Sequence, residues 1–70
     1  MPYRKNSELP PAIRKYLPHH AQDIYRAAFN DAYDHYGATR EAIAHRIAWA
    51  AVKRKYVKRA AGIWDRRLGA

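Results

Sequence analysis

Between Pro18 and Gly37 the apolar residues Ala21, Ile24, Tyr25, Ala28, Phe29, Ala32, Tyr33 and Tyr36 recur at alternating steps of three and four. That spacing lays one apolar stripe along a helix and leaves Gln22, Asp23, Arg26, Asn30, Asp31, Asp34 and His35 mostly off it. Proline at the start and glycine at the end are the expected marks of helix termini. About nineteen residues at ~1.5 Å each make a rod of roughly 28 Å, the central element of any core this chain builds.

A shorter helix precedes it. Leu9-Pro10-Pro11 opens a segment that predicts a helix from Pro10 to Tyr16, stopped by Pro18. Ser7 or Asn6 stands where a cap is expected, and Ile13, Tyr16 and Leu17 form the side to be buried. A third helix begins at Thr39 as N-cap, with Glu41 in its positive first turn, and is predicted to run to about Lys58 or Arg59. Its pattern changes on the way. Ile43, Ala44, Ile47, Ala48 and Ala51 share a stripe that suits packing on the second helix, but that stripe continues as Arg54, Lys55 and Lys58. Trp49, Val52, Tyr56 and Ala60 occupy another side, so the second half is expected to pack on the chain ends. Gly62 breaks the helix, and Ile63-Trp64 reads as a short extended piece able to pair near Tyr3. Such a two-stranded pairing is weak alone and must lean on the helices.

Seventy residues make one domain, 1–70, and a domain of that size buries only roughly 60% of the surface its unfolded chain exposes. Nine large rings (Tyr3, Tyr16, Tyr25, Phe29, Tyr33, Tyr36, Trp49, Tyr56 and Trp64) make up for the short length. With no cysteine there is neither a disulfide framework nor a thiolate zinc site. The first twenty residues hold no apolar run of signal-peptide length, and no stretch approaches the ~20 apolar residues of a membrane span. The expectation is a cytoplasmic protein that does not span a membrane.

Catalysis has little to stand on. The single serine is Ser7, near the chain start, and there is no Gly-rich phosphate loop. The chain is read as a non-enzyme with no cofactor and no small-molecule substrate. For metals, His19 and His20 are adjacent and point about 100° apart on a helix. Asp31 and His35 stand four apart, a spacing that suits two ligands of one ion and equally an ordinary surface pair. No metal site is assigned. His45 and Trp49, also four apart, read as a packed pair.

The strongest functional signal is charge. Fourteen Lys and Arg against six Asp and Glu give a net +8, which suits nucleic acid, an anionic membrane surface or an acidic protein face. Lys53, Arg54, Lys55, Lys58 and Arg59 put five cations into seven residues, and Arg66 and Arg67 follow. On a continuous helix Arg54, Lys55 and Lys58 fall within about a 100° arc. These seven residues are the candidate site for nucleic acid or an acidic partner. Trp49 and Tyr56 are candidate aromatics for docking a protein. An ordinary solvated face has the same composition. Without base-reading polar residues on a recognition helix, any DNA binding is expected to be weakly sequence-specific.

Two blocks carry a family resemblance. The first is Leu17-Pro18-His19-His20-Ala21-Gln22-Asp23-Ile24-Tyr25 with Ala28-Phe29-Asn30-Asp31-Ala32. The second is Ala44-His45-Arg46-Ile47-Ala48-Trp49-Ala50-Ala51-Val52-Lys53, followed by Tyr56, Lys58 and Trp64. With Met1-Pro2-Tyr3 and Leu9-Pro10, this pattern resembles the ChaB family over essentially the whole chain. The resemblance implies a mainly α fold: one short and two long helices packed with a small β-sheet formed by the chain ends, similar in part to a cyclin box. It implies regulation of cation transport through a protein partner, a sodium/calcium–proton antiporter of the ChaA type, and relatives in insect viruses are described as DNA-binding. It supplies no catalytic or ligand residues. Family members often carry a longer polar insertion where this chain has only Gly37-Ala38-Thr39, and bacterial members are more acidic near that loop and the tail. The basic character here favours the nucleic-acid reading as the alternative.

Overall fold

The computed structural model of the chain describes residues 3–59, Gly62 and 64–66. It has three helices, α1 (Pro11–Tyr16), α2 (His19–Tyr36) and α3 (Glu41–Lys53), and two short strands, β1 (Tyr56–Lys58) and β2 (Trp64–Arg66). Two single 3-10 turns, Asn6–Glu8 and Ala38–Arg40, precede α1 and α3.

The second helix ends where its sequence says it should, with Pro18 and Gly37 as its caps. Gly37 sits at φ 84° and ψ 172°, a region that residues with a Cβ essentially do not enter, while its N–H closes the helix on Tyr33 O at 2.7 Å. A Cβ there would meet nothing within 4 Å, so the cost of Gly37→Ala is a backbone cost. We expect it to destabilise the fold by about 1–3 kcal/mol, read as a lower Tm with unchanged helical content.

Along α2, Ala21, Tyr25, Phe29 and Ala32 are buried, and Tyr36 at the helix end is exposed. Ala44 and Ala48 of α3 are fully buried against this face, small enough to let the two helices lie close. Ile13 and Leu17 bury the inner side of α1, joined by Leu9, whereas Tyr16 turns outward. Ring packing then fills the centre. Phe29 lies 4.9 Å from Tyr3, 4.6 Å from His45 and 5.9 Å from Tyr33 between centroids. Tyr25 meets Trp49 edge to face at 5.3 Å and hydrogen-bonds His45 through Nδ1. His45 and Trp49 thus each pack on Tyr25.

Burial pushes the Tyr25 phenol above its ordinary range, and the nearby Tyr3 adds to the shift. A phenol held neutral by the fold favours folding below its unfolded pKa of about 10, and that contribution is lost as pH rises beyond it. Alkaline titration should therefore release a tyrosinate absorbance together with loss of helical circular dichroism, and Tyr25→Phe should remove that coupled step.

The polar side of α2 binds the N-terminal segment. Asn30 accepts from Tyr3 N at 2.8 Å and donates to Tyr3 O at 2.7 Å, mimicking one rung of a sheet. Arg26 donates to Asn6 Oδ1 at 2.8 Å and to Arg4 O at 3.1 Å, while Asn6 Nδ2 donates to Asp23 at 2.7 Å. That last bond holds the Asp23 carboxyl below its ordinary range, helped by His19 and Arg26 against a smaller desolvation effect. Tyr3 is therefore anchored to a helix, and the expected pairing of the 63–64 segment with Tyr3 is replaced by another. The sheet is an antiparallel hairpin made late in the chain, with register Tyr56↔Arg66, Val57↔Asp65 and Lys58↔Trp64. Ile63 and Ala60, which figured in the expected packing, lie outside the described residues.

Other boundaries shift for physical reasons. Neither Ser7 nor Asn6 caps α1; Pro10 holds that position, and Asn6 is spent on the α2 contacts. Thr39 falls within a 3-10 turn, and α3 starts after Arg40. The third helix ends at Lys53, five residues short of Lys58. Continued, it would have set Arg54 against Lys58 and Lys55 against Arg59, two like-charge pairs four residues apart. Turning at Arg54-Lys55 avoids both and hands Tyr56 and Val57, good strand residues, to a hairpin.

Candidate binding groove and basic hairpin

The turn after α3 decides the surface. Because α3 stops, Arg54, Lys55 and Lys58 do not share a helical arc. Lys53 ends the helix, Arg54 and Lys55 form the turn, Lys58 ends β1, and Arg66 ends β2. Arg67 lies outside the described residues.

Two sequence neighbours part company here. Lys53 lines a groove of about 720 Å³ on one side of α3, and Arg54 lines another of about 580 Å³ on the opposite side. The second groove runs between α2 and α3 over Ala28, Ala32 and Ala50, with Ile47 and Tyr36 at its surface. Asp31 and His35 line it without a third ligand, and among the described residues no group of three metal-ligating side chains occurs.

The first groove gathers more of the signal. From α1 it takes Ala12 and Tyr16, one turn apart and about 100° round the helix from Ile13 and Leu17. From α3 come Trp49 and Lys53, again one turn apart, and the hairpin supplies Lys58, Gly62 and Trp64. Trp64 closes on Trp49 with ring centroids 5.3 Å apart. Lys58 and Trp64 are directly opposite in the strand register, so both project on the side of the hairpin that faces the helices. Gly62 carries the Tyr16 ring, 3.6 Å from where a Cβ would stand. Lys15 places its Nζ 5.4 Å from the centre of that same ring.

Arg59 forms an ion pair with Asp65 at 3.4 Å on the other side of the hairpin, both well exposed. Tyr56 does not serve as a docking aromatic: it is 4% exposed, and its hydroxyl meets His20 Nδ1 at 3.0 Å. It is a core residue that pins the hairpin to α2. Trp49 is part-exposed and lines the groove. Sequence reasoning missed Ala12, Tyr16 and Gly62, because the groove exists only once the hairpin folds back beside α1. The one available sign was Ala12 and Tyr16 at helical spacing, although the same pattern also groups Tyr16 with Ile13 and Leu17.

The model of the family described as ChaB matches residues 9–67. The chain belongs to the ChaB family. A curated relative in Escherichia coli K12, named "Putative cation transport regulator ChaB", is 50% identical over 66 residues, covering 83% of this chain and 87% of the relative. The same figures hold for a relative of that name in Shigella flexneri. A solution NMR structure of a ChaB protein shares 44% identity with a TM-score of 0.85, covering 94% of this chain and 99% of that one. Three helices with a small sheet, the architecture the resemblance implied, is thus the ChaB fold in this chain too. The name that the ChaB relatives carry is that of a regulator.

Proposed function

We propose that this protein is a non-catalytic regulator of cation transport that works by binding a protein partner, of the kind of a ChaA-type antiporter, at the cytoplasmic face of a membrane. Membership of the ChaB family and the name that its relatives carry support the process. The observation that carries the mode of action is the groove beside α1, where two tryptophans and a tyrosine meet lysines. Binding surfaces that combine large rings with a few charges suit a protein partner. Among the described residues no helix is long and apolar enough to cross a membrane. Everted membrane vesicles loaded with sodium or calcium test the reading. Adding the purified protein should change proton-coupled efflux saturably, and an efflux unaltered at any concentration would overturn it.

A second reading, weakly sequence-specific nucleic-acid binding, is favoured by one observation: Lys55, Lys58, Arg59 and Arg66 all stand exposed on and beside the hairpin. Fluorescence anisotropy of labelled duplex DNA across a salt series measures it. Five or six neutralised phosphates require log affinity to fall against log salt with a slope of about −5. Absence of binding at moderate salt would remove this reading.

A further inference from the structure

The groove between α2 and α3 carries features that match one another. Among the described residues three large apolar side chains are exposed, and two of them, Tyr36 and Ile47, stand at this groove. The rest of its apolar lining is alanine, so protruding side chains and the shallow places that receive them lie on one surface. Its charges match in the same way. Asp31 comes from α2 and Arg54 from the end of α3, both exposed. Neither side chain has a hydrogen-bond or ion-pair partner among the described residues.

The ring contacts place these residues along the helices. Tyr25 meets Trp49 and Phe29 meets His45, so α2 and α3 run antiparallel with those residues level. Ile47 is midway between His45 and Trp49 and so level with the middle of the Tyr25–Phe29 turn. Asp31 is two residues beyond Phe29, and Arg54 is five beyond Trp49 in the opposite direction. The acid and the base therefore stand on either side of Ile47, roughly 16 Å apart along the helix axes. A two-fold axis lying in this face near Ile47 exchanges them. It brings Arg54 of each copy to Asp31 of the other and sets the two Ile47 side chains over the alanines. An acidic ligand would meet Asp31 here, and a wholly apolar one would desolvate both charges without pairing either. We propose that this groove docks a second copy of the chain, as a two-fold dimer closed by two Arg54–Asp31 pairs. The proposal stands apart from the transport reading. The groove beside α1 lies on the opposite side of α3, so the dimer leaves it open in both copies.

Each copy carries a net +8, so the contact forms where salt screens the overall repulsion. Sedimentation equilibrium of the full chain at about 0.15 M salt, where charges more than ~8 Å apart are largely screened, tests it. A face this small gives a weak dimer, with a dissociation constant on the order of 10–100 μM. Asp31→Arg sets two pairs of arginines against each other, and Arg54→Asp sets two pairs of carboxylates. Each variant alone should associate at least about tenfold more weakly than wild type. An equimolar mixture of the two puts arginines on one copy opposite carboxylates on the other. That mixture should dimerise within about threefold of wild type. All these positions are exposed, and circular dichroism should show each variant folded. Ile47→Glu should also keep the chain monomeric, and it replaces a charge variant that fails to fold. Wild type that stays monomeric up to about 1 mM would overturn the proposal. So would a mixture no more associated than its separate variants. Tighter self-association of Arg54→Asp, whose net charge is lower, would also overturn it, because overall repulsion and not the pair would then govern.

Discussion

Replacing Phe29 with alanine is expected to unfold most of the protein. The ring is wholly buried and touches Tyr3, Tyr33 and His45 at centroid distances of 4.9, 5.9 and 4.6 Å, with Tyr25 stacked one turn away at 6.4 Å. Removing a buried phenyl group loses its transfer free energy and leaves a cavity, together about 3–5 kcal/mol. A chain of this length has a total stability on the order of 4–10 kcal/mol. The loss is therefore comparable with the whole. Its four ring neighbours come from the N-terminal segment, α2 and α3, so collapse into the void would have to move three elements at once. Tm should fall by on the order of 20 °C, or the far-ultraviolet spectrum should already be that of a largely unfolded chain. Ile47→Ala is the matching control, because Ile47 is exposed at the surface groove and its loss should change stability by about half a kcal/mol or less.

Trp64→Ala has an effect of similar size but a different reach. Three residue pairs make the hairpin, too few for it to persist in water without support. The support is packing: Trp64 against Trp49, and Tyr56 sealed against the helices with its hydroxyl on His20. Deleting the indole removes about 3–5 kcal/mol of contacts, but α2 and α3 keep their own core. The cost is thus capped at what holds the hairpin down, and a local opening follows. Hydrogen exchange should show the cross-strand amides of the hairpin, alternate residues within Tyr56–Lys58 and Trp64–Arg66, losing protection while Tyr25 and Phe29 amides keep theirs. Asp65→Ala, which removes an exposed ion pair, should cost no more than about 1 kcal/mol and leave the protection pattern intact.

The parts legible in the sequence are those set by local rules. Apolar periodicity and the Pro18 and Gly37 caps located α2 to within a residue, and the expected Pro10–Tyr16 span lies within a residue of α1. The change of stripe within the third helix holds in part: Ala44 and Ala48 are buried with α2 and Trp49 meets Trp64 of the hairpin, but Ile47 of the expected stripe is exposed and Trp49 also packs on Tyr25 of α2. What was not legible depended on distant residues. Lys53-Arg54-Lys55-Tyr56-Val57-Lys58 carries no glycine or proline, so nothing local marked the end of α3. The turn pays off only when Tyr56 and Trp64 find their seats, which is tertiary information. Asn30 looked like a solvated residue on the polar side of α2 and instead holds both backbone groups of Tyr3. The candidate cations suffered most from this. Their clustering in sequence was real, but the turn sends Lys53 and Arg54 to different grooves and leaves Arg59 on Asp65.

A regulator that acts through the groove makes one measurement decisive: cation efflux from cells lacking the gene, complemented with wild type or with Lys53→Glu and Lys58→Glu together. Wild type should restore the efflux that the deletion alters. The groove variant, folded and present at equal level, should leave it altered. Full restoration by the variant would contradict the account and place regulation elsewhere on the protein.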